Sequence, residues 1–393
     1  MTASDYSLRW IIDPVDPAAF FGEHWEAAPL VVTRGRPDYF AGLLSLADID
    51  RVITTMNLCH PDITMVNAAQ EVGGSQYTYR SGMIDVAKLY QLFADGSTII
   101  LPQLHTRAPS LAAFCRALER EFSARFQTNI YLTPGNAQGF KPHYDTHDVF
   151  VLQIAGTKHW RIYETPVALP LKGQHFDSTC HPTGAVTREF DLLPGDTAYI
   201  PRGMMHDATS SDDVSLHITT GVMAETWTDL LLDALSSVAL EDPAFRRTLP
   251  VGFAGPGVDR DAARRLFADL VARFAAAAEL DPVLDHFVDD LISTRHPLLE
   301  GQMEQLARLD GLTAATTVGA RPELIFRLQE DDETIRIDCY GKQISLPLHA
   351  GATVRFALAT PRFAVADLPD DLDEPGKLVL IRRLVREGLV MLL

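Results

Sequence analysis

Two histidines and one aspartate are the residues of this chain whose types and spacing are most suited to chemistry. His143 and Asp145 lie two positions apart, and His206 follows a Pro-Arg-Gly turn later in the chain. Side chains of a strand alternate between its faces, so His143 and Asp145 would project to the same side, where one ion can contact both. Two imidazoles and one carboxylate are the ligands of non-haem Fe(II) oxygenases, which leave one face of the octahedron open. The pattern predicts a mononuclear metal site.

A strand between two turns must bring His206 back to this pair. Residues 193–196 carry a turn signal, residues 197–200 read as a strand, and residues 201–203 turn the chain again. Two strands and a loop can thus converge on one ion. His147 has the same strand parity as His143 and Asp145, so a different triad, or a zinc site that includes His147, remains open.

A lysine next to the metal motif is the candidate anchor for a second ligand. An open metal face suits a bidentate 2-oxo acid, whose distal carboxylate would need one buried cation. Lys158 stands after a tight turn that joins two strand-like runs. The segment alone also fits a surface turn lysine.

Composition narrows the class of partner. The chain has 393 residues and 47% hydrophobic composition, which predicts two or three domains. Its 34 Lys and Arg face 52 Asp and Glu, for a net charge of -18. This charge disfavours nucleic acid and anionic membranes and favours a basic protein or peptide. Residues 321–393 also lack a basic excess, so a nucleic-acid-binding regulator is the weaker alternative.

Cysteine spacing and hydropathy give an expectation of location. The four cysteines lie far apart without a CxxC pair, which predicts neither a zinc site nor a disulfide framework. Residues 1–13 lack the basic and apolar regions of an export signal, and no apolar run approaches about eighteen residues. We expect a cytoplasmic protein that does not cross a membrane.

Short strands dominate the middle of the chain, and helices precede and follow them. A helix leading into a strand is expected within residues 16–53, and an amphipathic helix at 110–126 is expected to cover the core. Antiparallel strands forming a sandwich or barrel are predicted at residues 129–132, 149–154, 160–163, 197–200 and 215–220. Helices are predicted at 227–240, 259–278 and 283–292. Strand-like segments at 324–328, 334–339 and 350–358, then a helix and strand within 377–393, predict a small β-wing.

Several of these motifs together resemble the JmjC ribosomal oxygenases, which are cupin-fold 2-oxoglutarate-dependent hydroxylases. The resemblance rests on residues 129–134, 138–140, 142–145, 156–161 and 194–206, and extends to an entry segment at 20–30. It implies an α+β chain with a double-stranded β-helix (cupin/JmjC) core and N-terminal elaboration at residues 1–223. A helical dimerisation domain at 224–312 and a winged-helix-like domain at 313–393 would follow, and the protein would be a homodimer.

The resemblance also implies roles for individual residues. His143, Asp145 and His206 would bind Fe(II), and Lys158 would hold the distal carboxylate of 2-oxoglutarate. Tyr131 and Asn129 match positions that line the same pocket. Gly221 lies near a position where relatives often carry a hydroxyl, and Thr219 is the expected substitute here.

The implied activity consumes O2 and 2-oxoglutarate and hydroxylates an arginine or histidine side chain of a ribosomal protein. Hydroxylation of a biosynthetic peptide or free amino acid is the first alternative, and acidic residues along the approach to the metal would argue against it. Demethylation of methyl-lysine is chemically adjacent and ranks below hydroxylation.

Overall fold

The chain forms two compact units in the computed structural model, which describes residues 6–322 and 324–393. One unit contains residues up to 224 together with 298–324 and 349–393, and the other contains 225–297 and 325–348. The division into three domains made from the sequence stays a prediction. The expectation that no export signal is present concerned residues 1–13. Of these, residues 1–5 lie outside the described residues.

The first unit opens with short helices that alternate with strands, and then becomes almost entirely β. Its elements up to residue 224 are α1 Leu8–Ile12, α2 Pro17–Glu23, β1 Leu30–Val32, α3 Leu46–Thr55, β2 Thr64–Val66, α4 Val86–Ala94, β3 Thr98–Leu101, α5 Pro109–Phe122, β4 Arg125–Thr133, β5 Asp148–Ala155, β6 Lys158–Tyr163, β7 Val186–Leu192, β8 Thr197–Ile200, β9 His206–Ser210 and β10 Ser215–Met223.

The remaining elements belong to both units. In chain order they are α6 Trp227–Glu241, α7 Arg260–Ala277, α8 Leu280–Ser293, α9 Gln302–Arg308, β11 Thr317–Ala320, β12 Arg327–Glu330, β13 Thr334–Cys339, β14 Lys342–Pro347, α10 Gly351–Ala359, β15 Phe363–Ala364, α11 Glu374–Arg386 and β16 Val390–Leu392. The helices α6 to α8 and the sheet β12-β13-β14 make up the second unit.

Two antiparallel sheets form the core of the first unit. The larger has the order β1-β8-β5-β10-β4-β3-β2, and the smaller has the order β7-β6-β9. The chain passes from β5 in the large sheet to β6 in the small sheet through a turn at Gly156, whose φ is +63°. Val149 and Val151 of β5 pack with Trp160 of β6, so the inner faces of the two sheets meet. This confirms the antiparallel double-sheet core expected from the strand spacing, although the two sheets do not close into one barrel.

A helix covers the outer face of the large sheet, as the periodicity of residues 110–126 predicted. Helix α5 begins with Pro109 at its first turn, where the missing N–H costs no helical hydrogen bond. Its Leu111, Phe114 and Leu118 are fully buried in the same cluster as Phe150 of β5. The apolar face of α5 therefore fixes the sheet that carries one wall of the site.

Some local predictions from the sequence were wrong or incomplete. Residues 350–358 were expected to be strand-like, but they form α10, with Ala350, Val354 and Leu358 buried at four-residue intervals. Strand β7 was missed because most of its side chains are exposed and give no alternating pattern. Strand β9 begins at His206, and the sequence analysis treated that residue only as one returned to the core by the preceding turn.

All four cysteines are free thiols: Cys59, Cys115, Cys180 and Cys339. No helix within residues 6–322 and 324–393 is both long and apolar enough to cross a membrane.

A crowded glycine in the turn before β9 gives a test of this fold. Gly203 has a φ of +85°, and a Cβ there would lie 2.0 Å from the carbonyl oxygen of Val167. Gly82 has a φ of +84° with no heavy atom within 4 Å of such a Cβ. Gly82→Ala should cost about 1–2 kcal/mol from the backbone conformation alone, whereas Gly203→Ala should cost about 3 kcal/mol or more because the backbone must also shift. Thermal unfolding of both variants beside the wild type measures this, and equal melting temperatures would contradict the crowding at Gly203.

Candidate metal centre

Backbone pairing holds the two histidines of the predicted site side by side. The N–H of His143 donates to the carbonyl of His206 over 3.1 Å, and the N–H of His206 donates to the carbonyl of His143 over 2.8 Å. This isolated antiparallel bridge joins the segment before β5 to the first residue of β9. The ring centroids are 4.8 Å apart.

The structure brings His143, Asp145 and His206 together. Each offers one ligand atom, and these three atoms lie within 4.8 Å of one another. Nε2 of His206 is 3.8 Å from a carboxylate oxygen of Asp145. Among the described residues this is the single group of three or more such side chains that could hold a metal ion. Its donor set fits a divalent transition metal ion in an octahedral site with an open face.

Both imidazoles are held in the tautomer that metal binding requires. Nδ1 of His143 contacts the carbonyl of Lys141, and Nδ1 of His206 contacts the carbonyl of Met204, each over 2.9 Å. A carbonyl oxygen can only accept, so each Nδ1 carries the proton and each Nε2 keeps its lone pair for the metal. Burial, and then the nearby His143, lower the pKa of His206 to about 4, so its ring is neutral at pH 7.

A buried ion pair fixes the turn that delivers His206. Asp148 is 1% exposed, and its carboxylate accepts from the Arg202 guanidinium over 2.7 Å and from the Tyr199 hydroxyl over 2.7 Å. Arg202 also contacts Glu26 over 2.5 Å. The turn is tied to Asp145 as well, because the Gly203 N–H donates to the Asp145 carbonyl over 2.9 Å. The start of β5 and the turn before β9 are therefore held as one piece.

A cavity of about 210 Å³ opens beside the three ligands. This volume is below the roughly 300–1,000 Å³ of sites for drug-sized molecules and suits a smaller ligand. Residues of both sheets and of the segment between β4 and β5 line it: Thr98, Tyr131, Gly139, Phe140, His143, Asp145, Val149, Val151, Lys158, Trp160, His206, Asp207, Ala208, His217 and Thr219.

Lys158 is a buried cation of this cavity rather than a surface turn residue. It is the first residue of β6 and is 5% exposed. Its ammonium donates to the hydroxyl of Thr133 over 3.2 Å, and the hydroxyl of Thr98 donates to Thr133 over 3.1 Å. Burial lowers the pKa of Lys158 to about 7. A carboxylate placed against Lys158 would supply the counter-charge that this side chain lacks within the cavity.

The resemblance assigns three other residues to the cosubstrate site, and two of them line the cavity. Tyr131 and Thr219 line the cavity. Asn129 is not among the lining residues in the described part of the chain, and its side-chain oxygen accepts from the Gln103 N–H over 3.1 Å. Tyr131 and Asn129 lie on the same face of β4 and differ only in their position along the strand.

His147 lies outside the metal cluster and packs on Gly221. A Cβ added to Gly221 would lie 3.1 Å from Cε1 of His147. The His147 ring therefore lies next to the backbone of Gly221. Nδ1 of His147 is buried without a hydrogen-bond partner among the described residues.

Among the other histidines, the sequence pattern gave only His217 a route to the site, and His217 lines the cavity on the same face of β10 as Thr219. Trp160, Phe140 and Asp207 were not predicted. Trp160 could have been found from strand parity, because it shares a face of β6 with Lys158. Phe140 and Asp207 also line the cavity.

The carboxylate of Asp207 is already paired with a cation. The guanidinium of Arg161 donates to its two carboxylate oxygens over 2.9 and 2.5 Å, and the amide of Gln138 donates over 3.0 Å. The lining contains one other carboxylate among the described residues, Asp145 of the metal cluster. The acidity of the chain is therefore not concentrated in this cavity.

Comparison with known proteins identifies the same region. Residues 103–230 match the JmjC domain family. Over 348 residues the chain is 31% identical to ribosomal oxygenase 1 of Gallus gallus, covering 83% of this chain and 57% of that protein. It is 32% identical over 253 residues to the bifunctional lysine-specific demethylase and histidyl-hydroxylase NO66 of Aedes aegypti, covering 62% and 40%. The chain spans about half the length of the curated relatives it matches.

Solved structures share the fold along nearly the whole chain. The ribosomal oxygenase YcfD of Escherichia coli aligns with a TM-score of 0.54 at 18% identity, over 96% of this chain and 98% of that one. A structure of YcfD in complex with cobalt and 2-oxoglutarate aligns with a TM-score of 0.52 at 16% identity, over the same shares. The likeness establishes an α+β architecture with a cupin-type JmjC core.

Proposed function

We propose, because this chain is a JmjC-domain relative of the ribosomal oxygenases, that it is an Fe(II)- and 2-oxoglutarate-dependent oxygenase that hydroxylates a protein side chain. The observation that carries the proposal is the cluster of His143, Asp145 and His206 beside a cavity that contains the buried cation Lys158. YcfD has been solved in complex with cobalt and 2-oxoglutarate, which supports a metal ion and the same 2-oxo acid as ligands here. The proposed substrate is an arginine or histidine of a ribosomal protein.

The residues of this chain would bind and orient the reactants. Bound Fe(II) and 2-oxoglutarate would supply, with O2, the oxidising chemistry that no protein side chain provides. His143, Asp145 and His206 would hold the metal ion, and the neutral ring of His206 need lose no proton to bind it. Lys158 would hold the distal carboxylate of 2-oxoglutarate by a charge-assisted hydrogen bond. Tyr131 and Thr219 line the same cavity, and Val149 and Val151 keep its wall apolar, which excludes water from the reacting centre.

The charge of the cavity favours histidine over arginine as the target. Phe140 is 39% exposed and its ring lies 6.1 Å from Tyr131 and 5.3 Å from His143, which gives a planar side chain aromatic neighbours. A guanidinium would also need a free carboxylate. Asp145 belongs to the metal cluster and Asp207 is already paired with Arg161, so a neutral imidazole fits this lining better.

Mass spectrometry of ribosomal proteins and their peptides tests the function. The purified protein is incubated with Fe(II), 2-oxoglutarate and O2, and a gain of one oxygen on a histidine or arginine residue is the expected result. Asp145→Ala and His206→Ala should lose both this gain and succinate production, because each removes one of three metal ligands. His159→Ala is the matched control, since His159 is a partly exposed residue of β6 that pairs with Asp191.

Other reaction products would indicate one of the alternative functions. Loss of a methyl group with release of formaldehyde would indicate a demethylase, and oxygen gained only by a small peptide or free amino acid would indicate a biosynthetic hydroxylase. Unchanged succinate production by the Asp145 and His206 variants would defeat the metal assignment.

The pKa of Lys158 predicts how cosubstrate binding depends on pH. At a pKa of about 7 this lysine is half protonated at pH 7 in the free protein. A carboxylate bound against Lys158 stabilises the protonated form, so binding takes up a proton. As pH rises above 7 the free lysine is increasingly neutral, and the Kd for 2-oxoglutarate should rise by up to about tenfold per pH unit. Anaerobic titration of the Mn(II)-loaded protein between pH 6 and 9 measures this.

Two comparisons control the pH experiment. Lys158→Arg should flatten the rise, because a guanidinium stays protonated over this range. The Kd of 2-oxobutanoate, a 2-oxo acid without a distal carboxylate, should show no such rise in the wild type. An equal slope for both acids would mean that Lys158 does not hold the distal carboxylate.

Exposed apolar stripes on α6, α7 and α8 support the proposal of a homodimer. The members of each stripe are spaced four residues apart along their helix. They are Trp227, Leu231 and Leu235 on α6, Phe267 and Val271 on α7, and Leu280 and Leu284 on α8. Trp227 is 72% and Phe267 70% exposed, which is typical of surfaces that bind another protein. A second copy can cover such a surface with the same surface of its own.

Sedimentation tests the dimer. The wild type should sediment as a dimer at micromolar concentration, and Leu231→Asp should shift it to a monomer because a carboxylate in an apolar interface loses its hydration. Met303→Asp is the control, because Met303 is an exposed helical residue of α9 outside the stripes. A monomeric wild type would remove the dimer proposal.

A cytoplasmic location remains part of the proposal. The free state of all four cysteines supports it, since reduced thiols suit that compartment. Recovery of the protein outside the cytoplasm on cell fractionation would contradict it.

A further inference from the structure

Two ring nitrogen atoms of cavity-lining residues have no hydrogen-bond partner among the described residues. They are Nδ1 of His217 and Nε1 of Trp160. His217 is 3% exposed and Trp160 is 5% exposed, so both rings are buried. Buried polar groups in folded proteins are nearly always paired, and an unpaired one next to a cavity calls for a ligand.

Both residues line the cavity together with Lys158 and are in contact with other rings. The His217 ring stacks on Tyr131 with centroids 4.9 Å apart and an angle of 6° between the planes. It meets Trp160 edge to face, with centroids 5.7 Å apart and an angle of 76°. Strand parity places His217 beside Thr219 on β10 and Trp160 beside Lys158 on β6, so the two sheets contribute one residue each.

This part of the cavity contains several hydrogen-bond donors. Burial, and then the nearby Lys158, lower the pKa of His217 well below its usual value, so the ring is neutral and has one N–H donor and one acceptor nitrogen. Trp160 can only donate, and the ammonium of Lys158 can only donate. The hydroxyl of Thr133 accepts from Lys158, but no carboxylate of the described lining is free to accept from the three groups together. Such a cluster selects an anion with several acceptor oxygens.

We propose that His217, with its proton on Nδ1, and Trp160 are cosubstrate-binding residues that complete, with Lys158, the site for the distal carboxylate of a 2-oxo dicarboxylic acid. The assignment rests on the proposed function, which supplies 2-oxoglutarate as the ligand. It makes His217 a determinant of cosubstrate specificity, because a 2-oxo acid without the distal carboxylate would leave its N–H unpaired.

Binding of two 2-oxo acids to the Mn(II)-loaded protein tests His217 without any turnover. His217→Phe keeps a flat ring for the stack on Tyr131 and removes the N–H. The Kd for 2-oxoglutarate should rise about tenfold or more, which corresponds to about 1.4 kcal/mol. The Kd for 2-oxobutanoate should stay within about twofold of the wild-type value, because that acid has no distal carboxylate. Anaerobic calorimetric titration gives both constants.

A second histidine provides a matched control. His24 also has a buried Nδ1 without a partner and stacks on an aromatic ring, Phe20, with centroids 6.4 Å apart, but it is not a lining residue of the cavity. His24→Phe should leave both binding constants unchanged. If His217→Phe does not fold, Trp160→Phe removes the other donor and should raise the Kd for 2-oxoglutarate alone.

The outcomes separate this assignment from the proposed function. A wild-type protein that binds no 2-oxoglutarate would overturn the proposed function and this assignment with it. Wild-type binding that His217→Phe and Trp160→Phe leave unchanged would overturn the assignment alone. Equal weakening of both acids would mean that the rings only shape the cavity, which also contradicts the proposal.

Discussion

The buried carboxylate of Asp148 is the interaction on which the geometry of the metal cluster depends. It joins the first residue of β5 to Tyr199 at the end of β8 and to Arg202 in the turn that follows. Removal of one partner from such a buried pair costs about 3–5 kcal/mol, because a charge is left without compensation. Asp145 and His206 lie on the two segments that this pair joins. The relative position of Asp145 and His206 therefore depends on residues outside the metal cluster.

The metal cluster and Lys158 occupy different places in the cavity between the two sheets. The three side chains that could bind a metal lie where the segment before β5 meets β9, and Lys158 lies at the start of β6. The distance between these places is set by the packing of Val149 and Val151 against Trp160, which is part of the apolar core. Apolar contacts thus set the separation between the proposed metal and the proposed carboxylate site. Mutations that change the volume of this core would alter binding even where no polar residue is touched.

Parity and turn signals predicted the cluster of His143, Asp145 and His206 because the relevant geometry is local. The alternation of side chains relates His143 to Asp145 within one segment, and the turn at residues 201–203 explains the return of His206. The burial of Lys158 and the displacement of Asn129 from the lining could not be predicted in this way. They depend on which strands pair across the two sheets, and β7 and β9 gave no periodic signal of their own. The helix α10 was mistaken for a strand because its short apolar run fits either period.

The contact between His147 and Gly221 links two positions that lie far apart in the sequence. A Cβ at residue 221 would lie 3.1 Å from Cε1 of His147 and 3.1 Å from Cε of Met223, so one or both of these side chains would have to shift slightly. The cost of a larger side chain at 221 therefore depends on which residue occupies position 147. Because contacting residues seldom contribute independently to stability, we expect substitutions at 147 and 221 to be non-additive. In evolutionary terms, the two positions would be epistatic.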